Sequence, residues 1–246
     1  MMVYRDALRD PSESIRSIAA RYISITDNNK DTVLPLLKAV LESDSVSLVR
    51  AGVIEAFGKQ KAKDYLPLIE KYLGDSSYLV ASTSLTVLNK LDTALALKMA
   101  KVFDKEPVFE MKNAAYTVIS SDGDSTYNDY FIKKLGEEKG FSRSFLLYHY
   151  ANFLLRMSPE MADKGIDVMK SIILARQGES KQLHSFGVGA IDRIKDHYER
   201  EKSLSQSVSN SGKKIKAKAD LPIVNADIAR IDKVIAHAKA AAAEVK

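Results

Sequence analysis

A chain of 246 residues that is 46% hydrophobic can bury a sizeable core, and 11 Gly and 6 Pro among many Ala, Leu, Lys and Glu make its composition that of an all-α protein. It has no cysteine, which excludes disulfides and thiolate chemistry, and no apolar run near the roughly 20 residues that span a bilayer. Of the net charge of +5, residues 203–222 hold +3, with four Lys against Asp220. That leaves +2 for the remainder, too little for a basic surface that would bind phosphates.

Residues 1–8 carry apolar side chains at Val3, Tyr4, Ala7 and Leu8 with no start signal before them, as the end of an outer helix would. An array that opens half way through a unit is expected of a fragment of a longer protein. Asp10-Pro11-Ser12-Glu13 then leads into an inner helix reaching about Tyr22, with Asp10 as the expected N-cap and Pro11 in the first turn. Further outer helices are expected over 31–41, 64–73, 92–103, 125–136 and 159–175. The short Asp/Ser turns between helices offer side-chain oxygens to the backbone N–H groups of the incoming helix.

The inner helices are the more regular set. Residues 47–58, Ser-Leu-Val-Arg-Ala-Gly-Val-Ile-Glu-Ala-Phe-Gly, place Val49, Gly52, Val53, Ala56 and Phe57 on one helical face. Equivalent anchors stand at Ile15, Val49, Val80, Met111, Leu147 and Leu183, separated by 34, 31, 31, 36 and 36 residues, which is a repeat period. The last two inner helices are expected over 143–155, with aromatics at Phe145, Tyr148, Tyr150 and Phe153, and over 182–202. Residues 203–222, with their serines and the lysines at 213, 214, 216 and 218, read as a flexible linker. Beyond it Ile228, Ile231, Val234, Ile235 and Ala238 mark one face of a C-terminal amphipathic helix (223–246), expected to cap the array over 1–202, the rival reading being a partner-binding helix.

Motifs of catalysis are sought in vain. None of His149, His184, His197 and His237 belongs to a His-Glu-x-x-His helix, and no Gly-x-Ser-x-Gly elbow occurs. The glycines at 187 and 189 lack the third glycine and the preceding strand of a dinucleotide loop. Asp122, Asp124 and Thr126 open like a calcium loop, but Tyr127 and Lys133 stand where glycine and glutamate are required. Neither a catalytic residue nor a metal site is therefore expected. The working surface is expected on the inner helices, at Arg16, Arg50, Lys112, Asn113, Tyr148 and His149, which follow the anchors by one or two positions.

The inner-helix pattern, Asp10-Pro11 with Ile15-Arg16 and Ala19, then Val49-Arg50 with Ala56-Phe57-Gly58, resembles HEAT-type repeats. The expected fold is accordingly an α-solenoid, a right-handed α-α superhelix of about six HEAT-like helix pairs. A closer likeness rests on residues 47–59, Tyr65-Leu-Pro-Leu68, Asp75-Ser-Ser-Tyr-Leu-Val80 and the Gly140-Phe141 turn before Leu146-Leu147. Together these are similar to the C-terminal helical-repeat region of bacterial zinc aminopeptidases of the aminopeptidase N family, over about residues 4–201. The resemblance implies a non-catalytic domain that packs on the catalytic domain of the same polypeptide, covers the active-site opening and gates peptide substrates. It implies no cofactor in this chain, with zinc expected in the catalytic domain. Nucleic acid and membrane are not expected partners. The readings weighed beside it are a stand-alone protein-binding scaffold and a HEAT-like DNA glycosylase, which the absence of Trp and the near-neutral array disfavour.

Overall fold

The computed structural model of the protein describes residues 6–175, 181–210 and 221–245, with the helical backbone alone at 181–182, 205–210 and 221–227. Among the described residues there are twelve α-helices and no strand: the chain is all-α. The helices are α1 (Glu13–Tyr22), α2 (Lys30–Ser43), α3 (Ser47–Lys59), α4 (Leu66–Tyr72), α5 (Tyr78–Leu91), α6 (Thr93–Phe103), α7 (Phe109–Asp122), α8 (Asn128–Glu137), α9 (Gly140–Leu154), α10 (Pro159–Leu174), α11 (Lys181–Asn210) and α12 (Leu221–Glu244). Single 3-10 turns, Lys63–Tyr65 and Ser125–Tyr127, lead into α4 and α8. The chain divides into two compact units, residues 1–122 and 123–246. The helix end expected over 1–8 lies outside the described residues as far as Arg5, and so does the lysine cluster at 213–218.

In the first unit the helices alternate between two layers. The odd-numbered α1, α3, α5 and α7 pack side by side, and α2, α4 and α6 lie against them. Val49, Val53, Ile54 and Phe57 of α3 and Val80, Leu85 and Leu88 of α5 are wholly buried between the layers and between neighbouring odd helices. Small residues let these helices approach. A Cβ at Gly52 would lie 3.1 Å from the Ser17 carbonyl oxygen of α1, and one at Gly58 2.8 Å from a methyl of Val87 on α5. The buried Tyr72 hydroxyl donates to the Leu41 carbonyl at 2.9 Å and so satisfies an orphan acceptor at the end of α2.

A repeated polar device joins the N-terminal turns of successive odd helices. Asp10, Asp44 and Asp75 each accept, through Oδ1, the N–H of the residue two positions on, at 2.8 to 2.9 Å. At Asp44 and Asp75 the carboxylate so held is met by the arginine of the preceding odd helix. Arg16 Nε lies 2.7 Å from Asp44 Oδ2, and Arg50 Nη2 lies 2.9 Å from Asp75 Oδ1, each with a second hydrogen bond completing the fork. The remaining Nη1 of each donates to carbonyls of its own turn, Asp10 and Pro11 for Arg16 and Asp44 and Ser45 for Arg50. Burial pushes the Asp44 carboxyl up, but the hydrogen bonds from Arg16 and Val46 and the nearby guanidinium charges outweigh it and hold the group below its ordinary value.

Asp10 is thus not the N-cap that its sequence context points to. Ser12, Val46 and Ser77 occupy the cap positions, and the aspartate sits two residues earlier, where one side chain serves both its own turn and a neighbour's arginine. Asp92 does cap its helix, accepting the Leu95 N–H of α6 at 2.9 Å.

In the second unit α9 packs on α11, with α8 and α10 against them and α12 lying on both α10 and α11. Phe131 of α8 meets the rings of Phe153 and Tyr150 at 5.0 and 5.5 Å, and the Tyr150 hydroxyl donates to Asn128 Oδ1 at 2.9 Å. Arg143 is wholly buried and donates Nε to the Leu135 carbonyl at 3.1 Å. Helix α12 buries Val234, Ala238 and Ala241. It is also clasped by charge: Asp163 lies 2.8 Å from Lys233 Nζ and 2.7 Å from His237 Nδ1, while His237 Nε2 lies 3.0 Å from Asp167. Lys239 pairs with Glu199 and Lys202 with Asp232.

That last pair accounts for a boundary that differs from expectation. Of the linker expected over 203–222, residues 203–210 continue α11 as helix, and α12 begins at Leu221 with Pro222 in its first turn, where proline is tolerated. The Lys202–Asp232 pair ties the last turns of α11 to α12 and favours continuation of the helix there. Residues 211–220 lie outside the described residues.

Two glycine substitutions separate propensity from packing. Gly136→Ala, with nothing within 4 Å of its Cβ, is expected to stabilise the protein by about 0.5 kcal/mol in urea melts. Gly58→Ala is expected to destabilise it by about 1–2 kcal/mol, because displacing Val87 costs more than the roughly 1 kcal/mol gained in propensity, and Val87→Ala should restore most of the loss.

Candidate functional site

The six expected site residues separate into three groups. Arg16 and Arg50 stand in the first turns of α1 and α3 with side chains 17% and 14% exposed, and their guanidiniums are bonded to Asp44, Asp75 and turn carbonyls. They hold the framework rather than line a surface, because the turn aspartates ahead of the next odd helix lie within their reach. His149 is buried on α9, and desolvation pushes its imidazole down to about 4. Its ring meets that of Tyr148 edge-on at 6.1 Å. Lys112, Asn113 and Tyr148 are at least partly open to solvent.

Asn113 lines a groove of about 270 Å³ between α5 and α7 of the first unit. Its walls are Thr83 and Thr86 on one side and Phe109, Glu110 and Thr117 on the other, with Ala114 in the floor. The Thr86 and Thr117 hydroxyls donate back to carbonyls of their own helices at 2.8 Å, which turns their oxygen lone pairs outward as acceptors. One turn further along, Asn89 Nδ2 bridges the same two helices to Asp122 at 2.6 Å. On the opposite layer a hollow of about 510 Å³ between α4 and α6 is walled by Leu73, Leu95, Met99 and Phe103.

Tyr148 belongs to a constellation on the α9–α11 surface of the second unit. The Arg193 guanidinium stands over the Tyr148 ring at 4.9 Å, and Arg193 Nε lies 2.6 Å from Asn152 Oδ1. Phe141, Phe145 and Phe186 continue the surface, with ring centroids 4.6 and 5.5 Å apart in succession. Phe141 is 49% and Tyr148 40% exposed, and a Cβ at Gly189 would meet nothing within 4 Å. The arrangement presents aromatic faces, an amide and one positioned cation to solvent, a composition suited to gripping a peptide.

Arg193, Asn152 and Phe141 escape the rule of one or two positions beyond an anchor. A helical-face reading finds them. Phe141, Phe145, Tyr148 and Asn152 fall at i, i+4, i+7 and i+11, and Phe186, Gly189 and Arg193 at i, i+3 and i+7. Among the described residues no group of three or more His, Asp or Glu side chains is placed to hold a metal ion. No family model matches the chain, and no curated protein matches it.

The buried imidazole has a consequence for acid stability. A histidine whose folded value lies near 4 and whose unfolded value is about 6.5 takes up its proton preferentially in the unfolded chain. Its contribution is fully present above pH of about 6.5 and is lost as pH falls from there toward 4, to a maximum of about 3 kcal/mol. Urea melts across that interval are expected to show this slope in the native chain and a clearly shallower one in His149→Gln.

Proposed function

We propose that this chain is a non-catalytic helical-repeat domain of a zinc aminopeptidase, which covers the active-site opening of the catalytic domain and gates the access of peptides. The reading rests on the likeness of its repeats to that family and on one observation, the solvent-facing cluster of Tyr148, Arg193 and Asn152 beside Phe141, Phe145 and Phe186. Extended peptide offers side chains for the aromatic faces, carbonyls for the guanidinium and backbone groups for the amide. A folded substrate cannot lay its backbone along two helices in this way, so such a surface favours unfolded chains. In this reading zinc and the reacting groups belong to the catalytic domain, and this chain supplies contacts and exclusion.

A stand-alone peptide-binding scaffold would use the same surface, and the DNA glycosylase reading gains no support from it. In the first unit Arg16, Arg21 and Arg50 are paired with Asp44, Glu55 and Asp75, which leaves those cations committed to carboxylates rather than to phosphates.

Two measurements test the proposal. The coding sequence ahead of Met1 is expected to contain, in frame, a helix of the His-Glu-x-x-His type, whereas a stop codon immediately upstream would reject the aminopeptidase reading and favour the scaffold. Fluorescence titration of the purified chain with unfolded peptides is expected to show binding that Arg193→Ala weakens about tenfold, or about 1.4 kcal/mol. Equal affinity for the native and Arg193→Ala chains would remove this surface from the proposal.

A further inference from the structure

The repeat contains its own template for an interface that α1 leaves open. Of the six anchors, Val49, Val80, Met111, Leu147 and Leu183 are 0 to 7% exposed, whereas Ile15 is 44% exposed. Ile18 and Tyr22 on the same helix are 59% and 62% exposed. Their counterparts 34 residues on are Gly52 and Ala56, both buried on α3. Gly52 lies on the face that touches the preceding odd helix, for a Cβ there would stand 3.1 Å from Ser17 oxygen and 3.5 Å from the Ala20 methyl. The same register on α5 is Val87, whose methyls abut Gly58 of α3. Ile15, Ile18 and Tyr22 therefore occupy the register that on α3 and α5 meets the preceding odd helix, with Lys59 Nζ of α3 standing over the Tyr22 ring, at 5.1 Å.

A polar feature of the same turn points to the same occupant. The Asp10 carboxylate is held by the Ser12 N–H at 2.8 Å, as Asp44 is by Val46 and Asp75 by Ser77. Arg16 bonds the carbonyls of the Asp10 turn as Arg50 bonds those of the Asp44 turn, so the two turns share one geometry. Asp44 and Asp75 each receive an arginine fork from the preceding odd helix, and among the described residues no arginine reaches the Asp10 carboxylate.

We propose that the α1 face, with Asp10 at its edge, is a docking surface for a helix pair of the same build, whose inner helix brings an arginine to Asp10 and covers Ile15, Ile18 and Tyr22. The charge requirement names the partner's chemistry: a guanidinium in the first turn of a helix with small residues on the following turns of the same face, as Arg16 is followed by Ser17 and Ala20, which meet Gly52, and Arg50 by Gly58, which meets Val87. A second copy of this chain fits poorly, because α1 against α1 offers Asp10 only Arg16, already bonded to Asp44, and Arg21, already paired with Glu55. The inference stands apart from the aminopeptidase reading and survives its failure.

The test extends the full chain at its N-terminus with a duplicate of residues 30–65. This places the duplicated arginine 25 residues ahead of Asp10, the separation between Arg50 and Asp75. Hydrogen exchange of residues 15–22 is expected to slow at least tenfold on extension. Asp10→Asn should return at least threefold of that protection in the extended chain and leave the unextended chain unchanged, since asparagine can still accept the Ser12 N–H. Replacing the duplicated arginine with Met should give the same loss, without further effect when combined with Asp10→Asn. Unchanged exchange on extension, or an Asp10→Asn effect equal in both chains, would overturn the proposal. So would sedimentation showing that the unextended chain dimerises through this face, with Ile18→Asp restoring the monomer, because the occupant would then be a second copy.

Discussion

A carboxylate gripped by the arginine of the preceding helix is the interaction on which the order of the first unit depends. Apolar burial between helices is strong but non-directional, and by itself it leaves neighbours able to slide and rotate. The forks from Arg16 to Asp44 and from Arg50 to Asp75 remove that freedom, because a planar guanidinium meets both carboxylate oxygens in only a narrow range of orientations. Each aspartate is also held by its own turn, so the fork joins two oriented elements. The series then stops. Six residues after Asp75, where Asp10 and Asp44 have Arg16 and Arg50, stands Ala81, and α5 meets α7 instead through Asn89 and Asp122 near their C-terminal ends. The groove lined by Thr83, Thr86 and Asn113 lies at the contact that lacks the fork.

The same commitment of charge explains why the open surface is aromatic and amide-rich. Arginines placed one residue after an anchor are drawn into the turns, and in the second unit Arg143 is buried with its Nε on the Leu135 carbonyl. Arg193, ten residues beyond the anchor Leu183, instead leans on the Tyr148 ring and the Asn152 amide and remains on the surface. A cation supported by neutral partners keeps its charge available, whereas one forked to a carboxylate has its charge compensated.

Much of the fold is legible in the residues, and less of the site. The all-α class, the alternation of helices and the buried register at Val49, Val80, Met111, Leu147 and Leu183 follow from 3.6-residue periodicity, which reports burial directly. What periodicity does not report is where a polar side chain beside an anchor will turn. Arg16 and Tyr148 share the rule of one position beyond an anchor, yet the first is drawn to Asp44, 28 residues away, and the second stays at the surface. His149 illustrates the same gap: it lies next to Tyr148, but the next position around the helix faces inward. The continuation of α11 to Asn210 was equally hidden. The serines of that stretch favour caps and turns in isolation, and the packing of α12 is a long-range fact that local composition does not carry.

The edges of the two units show two different treatments of an exposed helical face. In the second unit α12 buries Val234, Ala238 and Ala241 and adds an ion pair from Lys233 and a hydrogen bond from His237 to Asp163, so apolar and polar contacts act on the same helix. Burial would raise the Asp163 carboxyl, but the hydrogen bonds from Lys233 and His237 outweigh it and hold the group below its ordinary value, so the clasp favours the ionised form. In the first unit α1 has neither element of such a clasp: its isoleucines are open, and its turn aspartate meets no arginine among the described residues. A repeat surface left with both an apolar stripe and a pre-oriented carboxylate is complementary to a helix that bears both an apolar stripe and an arginine. The first unit supplies two worked examples of that match, in α1 against α3 and in α3 against α5.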